Sequence, residues 1–304
     1  MSLDRVTALM ISQATTENLS TDFARLAKTE NELSTGKTIN QPSDDPYGAS
    51  VVLQLNSQLS ALSSYSGNIS DGTNWLNTAG GALTDMQTLV QKVRELAVEG
   101  ANGSNNAAAD QNAALEVNQL IDQIKLTANT TYNGNYIFSG SATQSAPYQA
   151  GSNDAYQGNT GSVTRQIGPG ASVQVNTDLS SVLGSGGSDG QLLSTLRQIA
   201  SDLSTGTPAA QSALGTTDLA ALDGNLSTLQ GTQANVGALS ERLSVASARV
   251  QSTQSAATTE LANTQDANMA QLATTYSTET AAYQAALQSG AQIIQESLLN
   301  FLNP

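Results

Sequence analysis

The chain contains no cysteine and no histidine among its 304 residues. Disulfides, thiol chemistry, most zinc sites and every histidine-based catalytic dyad or triad are thereby excluded. Charge is scarce too, at 12% of residues against roughly a quarter in ordinary domains. Aromatic residues make up 4%, with a single tryptophan, and there are six prolines. So few bulky side chains cannot fill one large spherical core, whereas a narrow apolar seam along paired helices needs far fewer. Basic residues are the rarest charged class: 11 Lys and Arg stand against 25 Asp and Glu, a formal charge of -14. Such an acidic chain repels phosphate backbones and anionic lipid, so neither nucleic acid nor membrane is expected as a partner. No stretch approaches the ~18 consecutive apolar residues of a membrane helix. The first ten residues include Asp4 and Arg5 and form no continuous apolar segment, so no cleavable secretory signal is expected.

What fills the sequence is Ala, Ser, Thr, Gln and Asn on helical periods. Leu9, Leu19, Phe23, Leu26 and Leu33 share one stripe of a first helix, Ser2 to Leu33, with Gly36 placed to cap its end. Pro42, Pro46 and Gly48 mark a loop. A heptad grid then runs through Val52, Leu55, Leu59, Leu62, Ile69, Leu76, Leu83 and Val90. The helix it implies, Tyr47 to Glu99, would be roughly 80 Å long. A further helix is expected from about Ala107 to Asn129, ending at the turn Tyr132-Asn133-Gly134. From Asn135 to Gly190 the composition shifts to Gly, Ser and Asn, with β-type runs at Tyr136–Phe138, Val163–Ile167 and Val173–Asn176. Gly168-Pro169-Gly170 suits a hairpin loop between the last two. Helical spacing returns in Leu192, Leu193, Leu196, Ile199 and Leu203, and then in Leu222, Leu226, Leu229, Val236, Leu243 and Val250. After Thr258 a final helix is expected, with Met269, Leu272, Tyr276, Tyr283, Ile294, Leu298 and Phe301 as its stripe. Long helices at both ends, each with a seam it cannot bury alone, are expected to pair.

Two candidate chemical sites reduce to structure. Gly36-Lys37-Thr38 matches the end of a phosphate-binding loop, but that motif needs glycine where Asn31 stands and a strand before it. Asp44-Asp45 could be imagined as metal ligands or a carboxylate pair. In a Pro-bounded loop before a helix, capping is the better reading. Trp75, Tyr276, Tyr283 and Phe301 fall on helical stripes and are expected to pack against partner helices. No catalytic residue, cofactor or metal ligand is assigned, and no enzymatic activity is expected.

The segments Leu33-Ser-Thr-Gly-Lys-Thr-Ile-Asn-Gln-Pro-Ser-Asp-Asp-Pro-Tyr-Gly-Ala-Ser50, Asn68–Gln87, Val93–Gly103, Glu116–Ile121 and Ala128–Gly134 resemble, in order and spacing, the N-terminal region of the bacterial flagellin superfamily. Within it, Tyr132–Gly140 and the C-terminal blocks Asp266–Thr274 and Ser297–Leu302 are similar to the hook–filament junction branch more than to filament flagellins. The resemblance implies a mainly α fold: an elongated flagellin-like helical rod of paired N- and C-terminal helices with a small β-rich insertion. It divides the chain into an end region, 1–43 pairing with 265–304, a long-helix region, 44–134 pairing with 191–264, and the insertion 135–190. It also implies a secreted structural subunit of the flagellum, exported through the flagellum's own type III channel, with filament flagellin as the alternative. The implied partners are the other junction protein, flagellin, copies of the chain itself and an export chaperone. Leu19, Phe23, Leu26, Tyr276, Tyr283, Ile294, Leu298 and Phe301 are the residues expected at the assembly or chaperone interface.

Overall fold

The computed structural model describes the backbone of residues 2–102 and 106–302 and the side chains of residues 10–102 and 106–292. Long helices α1 (Ser2–Thr35), α2 (Pro46–Ala101) and α3 (Ala107–Ala128) come first. Two small antiparallel pairs follow, β1 (Thr131–Tyr132) with β2 (Asn135–Tyr136), and β3 (Thr164–Gly168) with β4 (Ala171–Gln174). Helices α4 (Ser180–Leu183), α5 (Leu192–Thr205) and α6 (Pro208–Ala213) lead through a π-helical turn, Leu214–Asp218, into α7 (Leu219–Gln265) and α8 (Met269–Leu302). The contacts fall into two compact units, Met1–Ala61 with Gln254–Pro304, and Leu62–Thr253.

In the second unit the heptad reading holds, with Leu226 half-buried against the core rather than in it. Leu62, Ile69, Leu76, Leu83 and Val90 of α2 are buried, and so are Leu222, Leu229, Val236, Leu243 and Val250 of α7. Cross-links between the two helices run antiparallel. Arg94 Nε donates to Asp223 Oδ1 at 2.8 Å, Gln233 Nε2 to Thr84 Oγ1 at 2.9 Å, and Gly72 lies beside Leu243. A Cβ at Gly72 would stand 3.0 Å from Val175 Cγ1 and 3.1 Å from Leu243 Cδ1, so glycine there admits both neighbours. Helix α3 starts with Asn106 Oδ1 accepting from the Ala109 N–H at 2.9 Å, the expected role of a capping Asn.

The β3–β4 hairpin belongs to this helical core. Asn68 Nδ2 donates to Gln166 O at 2.9 Å, Arg165 Nε donates to Asp71 Oδ2 at 2.7 Å, and Val173 and Val175 are buried among the helix residues. The rest of the middle segment is loop-rich and equally anchored. Ile137, Phe138, Tyr148, Leu179, Val182 and Leu183 are fully buried in the same cluster as Ile121 and Leu196. Tyr136–Phe138 is not the continuous strand its residue types imply. Only Asn135–Tyr136 pairs, while Ile137 and Phe138 turn into the core. The helix before α7 also begins earlier than its large apolar residues imply. Thr207 Oγ1 accepts from the Ala210 N–H and Pro208 occupies the first turn, where its missing N–H costs nothing.

The first unit pairs α1 with α8 at one end and carries two chain breaks at the other. Gly36, at φ +71°, ends α1. Asp45 Oδ1 accepts from the N–H groups of Tyr47 and Gly48, at 3.1 and 3.0 Å, and opens α2. The second break falls at Asp266–Asn268 rather than near Thr258: no helix breaker stands between them, and Asn268 Oδ1 caps α8 by accepting from the Gln271 N–H at 3.2 Å. The breaks are joined mostly through main chain, with the Thr38 hydroxyl also donating to Gln265 O at 3.1 Å. Thr38 N donates to Gln265 O at 2.8 Å and Ala267 N to Gly36 O at 2.9 Å.

Candidate functional site

Of the residues singled out on α1 and α8, Phe23 and Tyr283 meet and Leu19 lies beside Gly290. The rings of Phe23 and Tyr283 lie 5.9 Å apart with a 45° tilt. Thr29 Oγ1 donates to Glu279 Oε2 at 2.7 Å. Gly290 is the point of close approach, since a Cβ there would stand 3.1 Å from Thr15 Cγ2 and 3.4 Å from Leu19 Cδ1. Together these contacts make α1 and α8 antiparallel, with Leu19 and Phe23 on the shared side. Leu19, Leu26, Tyr276 and Tyr283 are half-buried, and Phe23 stays 57% exposed despite its contact with Tyr283. The side chains of Ile294, Leu298 and Phe301 lie outside the described residues.

The two units differ sharply in what they bury. Among the described residues of the first unit, the hydrophobic residues that reach burial are Ala49 and Ala257, both small. Met10, Ile11, Phe23, Tyr47, Leu53, Met269 and Leu287 are all exposed. A fully buried Leu, Met or Phe is worth about 1.5–3 kcal/mol. The α1–α8 pair leaves most of that contribution unrealised. In the second unit Leu76, Leu83, Met86, Val90, Ile121 and Leu196 are each at 1% exposure or less. One unit carries a finished core, and the other presents helices that share a contact line but enclose nothing large.

The acidic loop between α1 and α2 serves the backbone. Asp44 Oδ2 accepts from the N–H groups of Gln41 and Asn40, at 3.0 and 3.1 Å, and these bonds hold its carboxyl below the usual range, with Lys28 assisting. Lys37 sits in an isolated backbone bridge to Asp266, which leaves Gly36-Lys37-Thr38 as a helix end and a turn. Among the described residues no three acidic side chains gather as a metal site, and no helix is long and apolar enough to cross a membrane.

Two polar clusters in the second unit escaped the sequence reading. Lys125, 1% exposed at its side chain, donates from Nζ to Gly151 O, Asn153 O and Asp154 Oδ1, each at 2.8 Å. Its three N–H groups are thus all satisfied. Arg197 grips the same loop through Asp154 Oδ2 at 3.0 Å and Gly151 O at 2.8 Å, and reaches Asn118 Oδ1 at 2.9 Å. Burial pushes the Asp154 carboxyl up, but the hydrogen bonds from Arg197 and Lys125 outweigh it and hold the group low. The second cluster is at the π-helical turn. Asp218 is 5% exposed and its Oδ2 has no hydrogen-bond partner. Burial first, then the hydrogen bond to Asp202 and that residue's charge, push its carboxyl up to about 6. Trp75, also buried, meets Tyr132 edge-on at 6.0 Å and lies 5.9 Å beneath the Arg165 guanidinium, a structural use of the one tryptophan.

Residues 6–143 match the family model described as the bacterial flagellin N-terminal helical region. The chain is 33% identical over 143 residues to a flagellin of Listeria innocua, covering 47% of this chain and 50% of that protein. It is 29% identical over 164 residues to flagellar hook-associated protein 3 of Salmonella typhimurium, covering 54% and 51%. These and the other curated relatives are matched over about a third to a half of their own length. In three dimensions the chain is similar to the crystal structure of flagellar hook-associated protein 3 from Legionella pneumophila, with a TM-score of 0.61 and 14% identity. The match covers 70% of this chain and 98% of that one, and what it shows is a shared fold.

Proposed function

We propose that this chain, which is similar to the bacterial flagellin N-terminal helical region over residues 6–143, is a structural subunit of the flagellum that joins hook to filament. The observation that carries this reading is the contrast between the two units. A complete core in Leu62–Thr253 lets the subunit hold its shape, while the α1–α8 pair keeps half-covered Leu19, Leu26, Tyr276 and Tyr283 and exposed Phe23 for neighbours to complete. The fold likeness, which runs over nearly the whole of a hook-associated protein 3 chain, supports the junction in particular. On this reading the neighbours are the other junction protein, flagellin and further copies of the chain. An export chaperone would cover the same stripe, including Ile294, Leu298 and Phe301, before the subunit leaves the cell through the type III channel. The mode is a helix-lined apolar seam ordered by assembly, and it requires no catalytic group.

Filament flagellin is the second reading, favoured by the flagellin matches in the N-terminal region. One experiment separates the two. Electron microscopy of a strain lacking this protein should show hooks without attached filaments while flagellin is still secreted. Normal attached filaments would refute the adaptor reading. A strain that secretes no flagellin, together with purified protein that polymerises alone into long filaments, would favour the second.

A further inference from the structure

Three of the most exposed large apolar side chains in the second unit are Leu115 (65%), Leu126 (63%) and Val245 (61%). Leu115 and Leu126 are eleven residues apart on α3, three turns, and therefore share one face. Asp122 falls between them on that face, opposite the buried Val117, Ile121, Ile124 and Ala128. No cation lies within 4.0 Å of Asp122 among the described residues. Beside Leu115 a groove of about 520 Å³ runs between α3 and α5, floored by Ala114 and Ala200. Val245 of α7 lies three residues after Arg242 and four before Arg249, so the three form one exposed stripe, with Glu241 at its far edge.

The ion pairs of this unit decide what those arginines are for. Lys92, Arg94, Lys125, Arg165 and Arg197 each pair with a carboxylate of the chain. Arg242 and Arg249 are the remaining cations of the unit, and neither has a carboxylate within 4.0 Å among the described residues. In a chain with 25 acidic residues, Arg242 and Arg249 thus stay without an ion pair among the described residues, both beside an exposed valine.

We infer that the α3 face of Leu115, Asp122 and Leu126 docks on the α7 face of Arg242, Val245 and Arg249 of a second copy of this chain. Val245 set on Leu126 brings Arg249, four residues from Val245, against Asp122, four residues from Leu126, so an apolar contact and a carboxylate–guanidinium pair form side by side. The two faces differ, so each copy offers one and accepts the other. A contact of that kind repeats into a ring or a helical array rather than stopping at a dimer. The inference rests on the structural-subunit reading and names the surface by which copies would join.

The chain's lack of cysteine makes the test direct. Purified full-length Leu126→Cys and Val245→Cys proteins, mixed and oxidised, should give mainly the mixed disulfide, with few disulfides between like chains. Sedimentation velocity at low salt should show self-association of the unmodified chain. It should be roughly tenfold weaker or more in Arg242→Glu/Arg249→Glu, and regained when Asp122→Arg is added to the same chain. Circular dichroism should confirm that every variant keeps its helix content, since all the substituted positions are exposed. Like-chain disulfides as frequent as mixed ones, charge reversal without effect, or no recovery in the combined variant would each overturn the docking. Failure here leaves the adaptor reading intact, because the deletion-strain observation does not use these residues. Normal filaments in that strain would leave the disulfide result standing.

Discussion

Replacing Asp218 with Asn should stabilise the protein at pH 8 and do little at pH 4. Asp218 is almost wholly buried, one carboxyl oxygen lacks a partner, and its pKa is raised from 3.8 to about 6. Below pH 4 the group is protonated in the folded and unfolded chain alike, and the stabilising protonated form is fully present. Between about 4 and 6 the folded chain keeps a proton that the unfolded chain releases, so stability falls as pH rises and stays lower above 6. Two pKa units correspond to about 3 kcal/mol at most. Asp202 is half-exposed and solvent screens the pair, so about 1–2 kcal/mol is expected. For a unit of this size that is about 2–8 °C in melting temperature. The Asn carboxamide keeps an N–H for Asp202, which Gln198 Nε2 already holds at 2.8 Å. Thermal melts at pH 4 and pH 8 are the assay, with Asp202→Asn as a second variant that removes the neighbouring charge and should act in the same direction. An equal shift at both pH values, or destabilisation at pH 8, would refute the reasoning.

Asp154→Ala should cost about 3 kcal/mol or more, because it strips the one carboxylate from buried Lys125 and from Arg197; urea unfolding would measure it. Gly140→Ala should also destabilise, since φ is +68° and a methyl group there would overlap the Asn159 carbonyl; the assay is again the melt. Removing Ala142–Gly161 should lower the melting temperature sharply, as the segment supplies Tyr148, Asp154 and Tyr156, and an unchanged melt would show that these side chains are dispensable. Limited proteolysis should cut in the first unit before the second, and equal resistance would contradict the difference in core content between them.

Much of the fold was legible because heptad spacing survives dilution by small polar residues. Leu62, Ile69, Leu76, Leu83 and Val90 needed only a constant interval of seven to be placed in the core. The helix boundary at Asp45 was likewise readable from local capping chemistry. The middle segment outside the β3–β4 hairpin was not, because its order comes from partners far away in sequence. Tyr148 hydrogen-bonds Gly184 O at 2.6 Å, and Asn129 Nδ2 donates to Tyr148 O at 2.7 Å. Frequent Gly, Ser and Asn mark the segment as irregular without naming those partners, and they are the residues that let a buried loop satisfy its own backbone. One signal was present. Lys125 stands four residues after Ile121 and next to Ile124 on the buried side of α3, where a cation demands an acceptor cage. The unsatisfied face of α1 and α8 was legible as a stripe, but its incompleteness required knowing what the partner helix covers.

The clasp between the two chain breaks has a bearing on sequence drift. The N–H groups of Thr38 and Ala267 reach Gln265 O and Gly36 O through peptide groups, so apart from Gly36, held at φ +71°, and the supporting Thr38 hydroxyl, side chains there can change and keep these bonds. Length is another matter. Phe23 and Thr29 meet Tyr283 and Glu279 only because a fixed number of residues separates each from the clasp. One residue inserted in either arm would advance that helix by about 1.5 Å and turn it by about 100°, and every contact beyond would change face. Homologous chains should therefore vary freely in composition along these arms while insertions and deletions are confined to other places, so that residue count is inherited more strictly than residue identity.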